Sequence, residues 1–330
     1  LVLGCKNSVI PSDGSVTSIG NCAFSDCAGL TSVTIPDGIT SIGGDAFSDC
    51  SDLRSVTIPD SVASIGFYAF QNCSNLIYVT LPKELTQINY NLFDGCSSLK
   101  NVIIPEKVTS IDHYAFRGCR SLTEIIIPDS VTEIKDSAFA YCSNATKITL
   151  SENLNSIGED AFLRCSALTS ITIPESVSQI GDYAFADCLN LSEIRWNAEK
   201  ITGGFYAFEN AAISLKEGLE LVFGDNVIEV PNNIFNYDSK VKSITFGKKI
   251  KSIGLFAFSN NYGLKSVTIS NNITSIDEKA FYHCSGLTDV TLGNNLTIIG
   301  DDAFYGCTNL TSITIPASVK EIGENAFGYY

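Results

Sequence analysis

The chain consists of copies of one phrase, and each copy is anchored by a phenylalanine. Fourteen anchors follow one another at intervals of 23 residues, except for the interval of 27 residues between Phe208 and Phe235. The clearest copies read Ile-Gly-x-x-Ala-Phe-x-x-Cys-x-x-Leu-x-x-Val-Thr-Ile-Pro, as between Ile42 and Pro59. A fixed period of this length indicates stacked units that bury a common core, so the sequence predicts a repeat solenoid. The anchors are Phe24, Phe47, Phe70, Phe93, Phe116, Phe139, Phe162, Phe185, Phe208, Phe235, Phe258, Phe281, Phe304 and Phe327.

Each phrase contains one short strand and one sharp bend. Val56 and Ile58 alternate with Ser55 and Thr57, and this period of two predicts a strand with one buried face. Equivalent strands of successive turns are expected to pair in parallel. The Ile-Gly-x-x-Ala-Phe segment is too short for a standard helix, so we expect a tight bend or a single helical turn there, with Ala and Phe pointing inward.

The repeated Ile-Gly-x-x-Ala-Phe-x-x-Cys-x-x-Leu signature resembles the BspA-like class of leucine-rich repeats, over essentially the whole chain. The resemblance implies a right-handed, leucine-rich-repeat-like coil, mostly β, with a parallel β-sheet on its concave face. It also implies a microbial protein that is extracellular or attached to the cell surface. Because the chain starts at Leu1 without an apolar leader, we expect a mature or trimmed fragment.

We expect one solenoid of about 14 turns over residues 1–330, with two irregular parts. Residues 1–23 are expected to form an N-terminal cap, and residues 197–234 a joint between the regular parts 24–196 and 235–330. Just before the joint, Trp196 replaces a strand isoleucine, and within the joint four extra residues fall between Glu209 and Gly218. Two interpretations stay open: a repacked joint in which Trp fills volume, and a binding loop formed by the insertion.

Ten of the twelve cysteines lie three residues after an anchoring phenylalanine. Stacked side chains that point the same way disfavour disulfides, so we predict a buried ladder of reduced thiols. Outside the ladder, Cys5 and Cys22 lie in the irregular first turn, where a disulfide between them is one of two open possibilities. The ladder consists of Cys27, Cys50, Cys73, Cys96, Cys119, Cys142, Cys165, Cys188, Cys284 and Cys307.

Composition and motifs argue against several classes of function. A net charge of −15 repels phosphate backbones and anionic lipid, so nucleic acid is not an expected partner. No apolar run approaches the length of a membrane-spanning helix. The two histidines, His113 and His283, are about seven turns apart, and no nucleophile, phosphate-loop or zinc motif is present. We therefore expect no enzymatic activity, no cofactor and no metal.

The outward strand positions carry the candidate binding residues. Most turns place Ser and Thr there, and the exceptions concentrate in the middle turns. Solenoids bind partners through extended concave faces, so we predict a protein partner, such as a host or extracellular-matrix protein. The predicted binding residues are Tyr78, Glu124, Lys147, Glu193 and Arg195.

Two alternatives accompany this prediction. Aromatic residues at the bends could form the binding surface instead, or they could pack on one another. The chain could also be a structural spacer that presents another domain. The aromatic residues are Phe67, Tyr68, Tyr90, Tyr114, Tyr183, Phe205, Tyr206 and Phe256.

Overall fold

Most turns of the chain contribute two short strands, which we call the first and the second strand of the turn. The computed structural model describes residues 9–236 and 240–328, and those residues contain no helix. First strands pair in parallel with first strands one repeat away, as Val33 with Val56. Second strands do the same, as Ser18 with Ser41. The parallel β-solenoid that the repeat predicts is therefore confirmed.

The chain divides into two compact units, Leu1–Leu168 and Thr169–Tyr330. The first strands of the first unit are Val33–Thr34, Ser55–Thr57, Tyr78–Thr80, Glu124–Ile126 and Lys147–Thr149. Its second strands are Ser18–Ile19, Ser41–Ile42, Ser64–Ile65, Gln87–Ile88, Ser110–Ile111, Glu133–Ile134 and Ser156–Ile157.

The second unit repeats this plan. Its first strands are Ser170–Ile173, Glu193–Trp196, Leu219–Phe223, Val241–Thr245, Ser266–Thr268 and Asp289–Thr291. Its second strands are Gln179–Ile180, Thr202–Gly203, Glu229–Val230, Ser252–Ile253, Ser275–Ile276, Ile298–Ile299 and Glu321–Ile322.

The phenylalanine anchors form the core. Twelve of the fourteen are buried, and Phe24 and Phe327 are half-buried; within the described residues each of these two stacks on an anchoring ring on one side only. Within each unit, successive rings lie nearly parallel. Phe116, for example, lies 5.4 Å from Phe93 and 5.1 Å from Phe139 between ring centroids. Alanine precedes most of these rings, and Ala69, which precedes Phe70, is fully buried, as the sequence predicts.

The segment around each anchor is a bend without a helical turn. In the turn of Phe47, the amides of Asp45, Phe47 and Asp49 donate to carbonyls of the next turn at 2.8–2.9 Å. Asp45 and Asp49 adopt left-handed backbone angles, with φ of 55° and 59°. Equivalent residues of other turns do the same, so this conformation belongs to the repeat and not to any one side chain.

All ten ladder cysteines are buried and none forms a disulfide, which confirms the predicted ladder of reduced thiols. Most of these thiols donate a hydrogen bond to the phenylalanine carbonyl of the preceding turn. Cys73 Sγ, for example, lies 3.2 Å from Phe47 O. The cysteine outside the ladder that the structure describes, Cys22, is exposed. The other member of the proposed pair, Cys5, lies outside the described residues.

Trp196 is a packing residue. It is 1% exposed, its indole lies against Phe208 and Phe235 with centroid distances of 6.4 and 5.9 Å, and its Nε1 donates to the Ala198 carbonyl at 3.1 Å. The tryptophan therefore fills core volume where the longer repeat changes the spacing of the turns. The exposed residues of the insertion include Ile213 and Lys216.

Candidate functional site

The outward side chains of the first strands form a surface that we call the strand face. In the first unit it carries Tyr78, which is 55% exposed, and the neighbouring pair Glu124 and Lys147. Lys147 Nζ lies 2.6 Å from Glu124 Oε1, so each largely neutralises the other. Two complete repeats separate Tyr78 from Glu124 along the chain, and the strands that carry them are not paired.

The other two predicted binding residues, Glu193 and Arg195, belong to the second unit. They lie on the same strand, two residues apart, and Arg195 Nη2 is 2.5 Å from Glu193 Oε1. The pair faces outward between buried neighbours, as the alternation of the strand requires. The five predicted residues therefore form separate local arrangements, each within one unit.

Sequence reasoning missed Ile103, which is the most exposed large apolar residue of the strand face. It occupies the position that Thr80 and Thr149 take in other turns, and it is 85% exposed. One turn later, Ile126 occupies the same position and is 56% exposed. The signal was present in the sequence, because both isoleucines interrupt a column of threonines.

Ile103 and Ile126 line a groove of about 340 Å³, which we call the isoleucine groove. Glu106 and Glu124 lie at its rim, and Pro128 forms part of its wall. Among the described residues, Glu106 has no lysine or arginine within ion-pair distance. An apolar centre with a charged rim is the usual composition of a protein interface.

The hydrogen-bonded sheet is interrupted beside this groove. One sheet ends at Tyr78–Thr80 and the next begins at Glu124–Ile126. Between them, the described backbone makes a single bridge, from Tyr78 to Asn101. The chain segment that carries Ile103 is therefore held mainly by its buried neighbours, including Ile104.

Most of the aromatic residues at the bends contact another aromatic ring. In the first unit, the Tyr90 ring lies 5.3 Å from Tyr68, 5.7 Å from Tyr114 and 6.4 Å from Phe67. The guanidinium of Arg117 covers the Tyr114 ring at 4.7 Å. In the second unit, Tyr183 and Tyr206 stack at 5.5 Å.

We call these aromatic side chains the aromatic edge, and ionic and cation–π contacts hold its shape in the first unit in spite of a strained backbone. Arg117 donates two hydrogen bonds of 2.8 Å to the buried carboxylate of Asp94, and the carboxylate raises the pKa of Arg117. Tyr68 and Tyr114 adopt left-handed φ angles of 60° and 59°, which are costly for bulky side chains. The aromatic and charged side chains of this edge in the first unit therefore already have partners within the chain.

The described residues contain no group of three His, Cys, Asp or Glu side chains that could hold a metal ion. Burial, which disfavours the thiolate, raises the pKa of Cys142 well above its ordinary range and that of Cys165 to about 12. Such thiols are protonated near neutral pH, and they lack the ionised sulfur that nucleophilic catalysis requires.

The family profile of the BspA type leucine rich repeat region matches residues 4–121, 86–216 and 204–330, with six copies. The matches span nearly the whole sequence. The chain therefore belongs to the BspA-type leucine-rich repeat family. No curated protein sequence matches it.

Solved bacterial structures are similar to this chain. A leucine-rich repeat protein from Bacteroides ovatus is 25% identical, with a TM-score of 0.51, and the alignment covers 96% of this chain and 97% of that one. A leucine rich cell surface protein from Faecalibacterium prausnitzii is also 25% identical, with a TM-score of 0.41 and coverage of 96% and 87%. Within the described residues, no helix is long and apolar enough to cross a membrane.

Proposed function

We propose that the chain is a non-enzymatic protein-binding module of a microbial surface or secreted protein. The observation that carries this proposal is the isoleucine groove, where two neighbouring turns expose isoleucine at positions that other turns fill with threonine. Burying such side chains against a partner stabilises a complex by about 1.5–3 kcal/mol each. A structural spacer would not require exposed isoleucines on an otherwise polar strand face.

The proposed partner is a protein, such as a host or extracellular-matrix protein. Tyr78 lies one turn before the isoleucine groove and adds an exposed aromatic ring, a residue type enriched in binding hot spots. Glu124 lines the groove and forms an ion pair with Lys147 of the next turn, and this pair would fix the register of a complex more than it adds affinity. Glu193 and Arg195 form a separate candidate contact in the second unit.

The test replaces the groove with the residues that the repeat uses elsewhere. In the double variant Ile103→Thr/Ile126→Thr, the new side chains match Thr80 and Thr149, so folding is expected to be retained. Binding to purified host-surface and extracellular-matrix proteins is measured by surface plasmon resonance. We expect the wild-type chain to bind at least one of them, and the double variant to bind it at least about tenfold more weakly.

The matched control changes the aromatic edge of the same unit, as Tyr68→Asn/Tyr114→Asn, because asparagine tolerates the left-handed backbone. This variant is expected to bind within about twofold of wild type. If the control loses binding while the threonine variant retains it, the binding surface is the aromatic edge. If the chain binds none of the proteins, the spacer function is favoured.

A further inference from the structure

A second groove lies in the second unit, at the insertion that lengthens the repeat. It has a volume of about 450 Å³, and four lysines line it together with a single glutamate. The lysines are Lys216, Lys240, Lys242 and Lys265. The whole chain has 21 basic residues against 36 acidic ones, so such a concentration of lysine is unusual for this molecule.

We propose that this lysine groove binds a short acidic peptide segment of a partner protein. The lysine groove is distinct from the isoleucine groove. The lysine groove is basic, whereas two glutamates lie at the rim of the isoleucine groove. The proposal goes beyond the proposed function, because it does not depend on what the strand face binds.

The insertion that forms the groove has a defined backbone. Amides of the inserted segment donate to the preceding turn, Ala212 N to Cys188 O at 3.3 Å and Ser214 N to Leu189 O at 3.1 Å. At its end, Gly218 adopts a φ of +82°, and a Cβ there would lie 2.6 Å from the Lys240 carbonyl oxygen. Glycine therefore permits the close approach that places Lys216 and Lys240 around the same groove.

The four ammonium groups have few carboxylate partners. Lys240 Nζ donates to a backbone carbonyl, that of Ile213, at 2.8 Å. Lys242 Nζ lies 3.6 Å from Glu220 and 3.9 Å from Glu217, both beyond hydrogen-bonding distance. Within the described part of the chain, Lys216 and Lys265 have no carboxylate in ion-pair range. The groove therefore offers positive charge that an incoming anion can use.

The walls of the groove also present apolar surface. Tyr262 is 52% exposed and Ile213 is 40% exposed, and both line the groove. A peptide with carboxylates on either side of an apolar side chain matches this combination, because the carboxylates reach the lysines while the apolar group covers the tyrosine and the isoleucine.

Charge distribution favours a short segment over a long polyanion. The chain has a net charge of −15, and Glu217 and Glu220 lie next to the lysines. A nucleic acid or sulfated polysaccharide that extends beyond the groove meets this acidic surface, and repulsion acts within a Debye length of about 8 Å at physiological salt. A short acidic segment carries its charge only where the lysines are.

The test uses the whole chain and a fluorescein-labelled peptide in which glutamates flank one phenylalanine. Binding is measured by fluorescence anisotropy at about 50 mM and about 300 mM salt. We expect wild-type binding that weakens with salt, and a loss of about tenfold in Lys216→Glu/Lys265→Glu, because this variant replaces attraction with repulsion. A peptide with glutamine in place of glutamate is expected not to bind.

The control variant Lys100→Glu/Lys320→Glu makes the same change in net charge at exposed lysines outside the groove. It is expected to bind the peptide within about twofold of wild type. An equal loss in both variants, or no peptide binding up to about 1 mM, would overturn the proposal. Tighter binding of a sulfated oligosaccharide or an oligonucleotide than of the peptide, lost in Lys216→Glu/Lys265→Glu, would assign the groove to a polyanion instead.

Discussion

At the ladder position, most turns place a small, buried side chain that can donate one hydrogen bond. Cys73 Sγ contacts the Phe47 carbonyl at 3.2 Å, and this carbonyl also accepts the amide of Cys50. Where the ladder cysteine is missing, Asn261 Nδ2 donates to the Phe235 carbonyl at 2.7 Å, across the same spacing of 26 residues. The cysteines are therefore structural donors, and their regular spacing reflects packing.

The buried thiols predict a loss of stability at alkaline pH. Burial raises the pKa of Cys165 to about 12, whereas an unfolded cysteine titrates near about 8.5. Between these values the folded state holds the proton that the unfolded state releases. The stability that the buried Cys165 thiol contributes is thus complete below about pH 8.5 and is lost as the pH rises toward 12. In Cys165→Ala, the free energy of unfolding should fall by about 1.4 kcal/mol less per pH unit than in wild type.

Urea denaturation under reducing conditions, at about pH 8.5 and about pH 10.5, measures this difference. The exposed Cys22→Ala is the control, and its pH dependence should follow that of wild type. If the free energy of unfolding changes equally with pH in Cys165→Ala and in wild type, burial does not keep the Cys165 thiol protonated.

At the scale of the elements, the longer repeat changes the turns unequally. The first strands of this region are the longest described, with five residues each in Leu219–Phe223 and Val241–Thr245. A register shift between Leu219 and Glu220 absorbs part of the change in repeat length. The extra residues lie away from these strands, in the exposed segment that lines the lysine groove. Sheet pairing is therefore maintained while the bend side of the turn becomes irregular.

We predict that residues 197–234 form a soft joint, which proteases cut first between residues 197 and 218. Lys200 and Lys216 are exposed there, and the second strand of this turn, Thr202–Gly203, is exposed at both residues. Stability in a solenoid depends on neighbouring turns, so an irregular turn opens at lower cost. Limited trypsin digestion followed by mass spectrometry should show the first cut after Lys200 or Lys216. A first cut within the regular turns of residues 42–185 would contradict the joint.

At the scale of the whole molecule, the core is a continuous series of nearest-neighbour contacts within each unit. The phenylalanine rings contact the rings before and after them, so no central core exists to spread a local defect. The chain is acidic overall, with a net charge of −15, while the charge of individual surface sites differs in sign, as between the lysine groove and the isoleucine groove. Binding properties therefore belong to particular turns, and stability belongs to adjacent turns.

Phe116→Ala is predicted to weaken the chain locally. The ring is fully buried between Phe93 and Phe139, and a buried Phe→Ala change typically costs about 3–5 kcal/mol. Hydrogen exchange should increase in the turns around residues 93–139 and stay unchanged around residues 258–304. The exposed strand-face variant Thr57→Ala is the control, with a change within about 0.5 kcal/mol. A uniform increase along the whole chain would contradict nearest-neighbour stability.

The amino-acid sequence by itself determined the solenoid, the parallel strands, the inward Ala-Phe pairs and the buried thiols. It could do so because a core position repeated in every turn is under the same packing constraint each time. Side-chain identity could not reveal the left-handed backbone of the bends, since Asp45, Tyr68 and Lys279 share one such position.

Only the tertiary structure decided which surface residues come together. The exposure of Ile103, the mutual packing of Tyr68, Tyr90 and Tyr114, and the convergence of Lys216 with Lys265 depend on contacts between turns. Surface positions have no common packing constraint, so the repeat does not encode them, and their arrangement follows from the spacing and register of the stacked backbone.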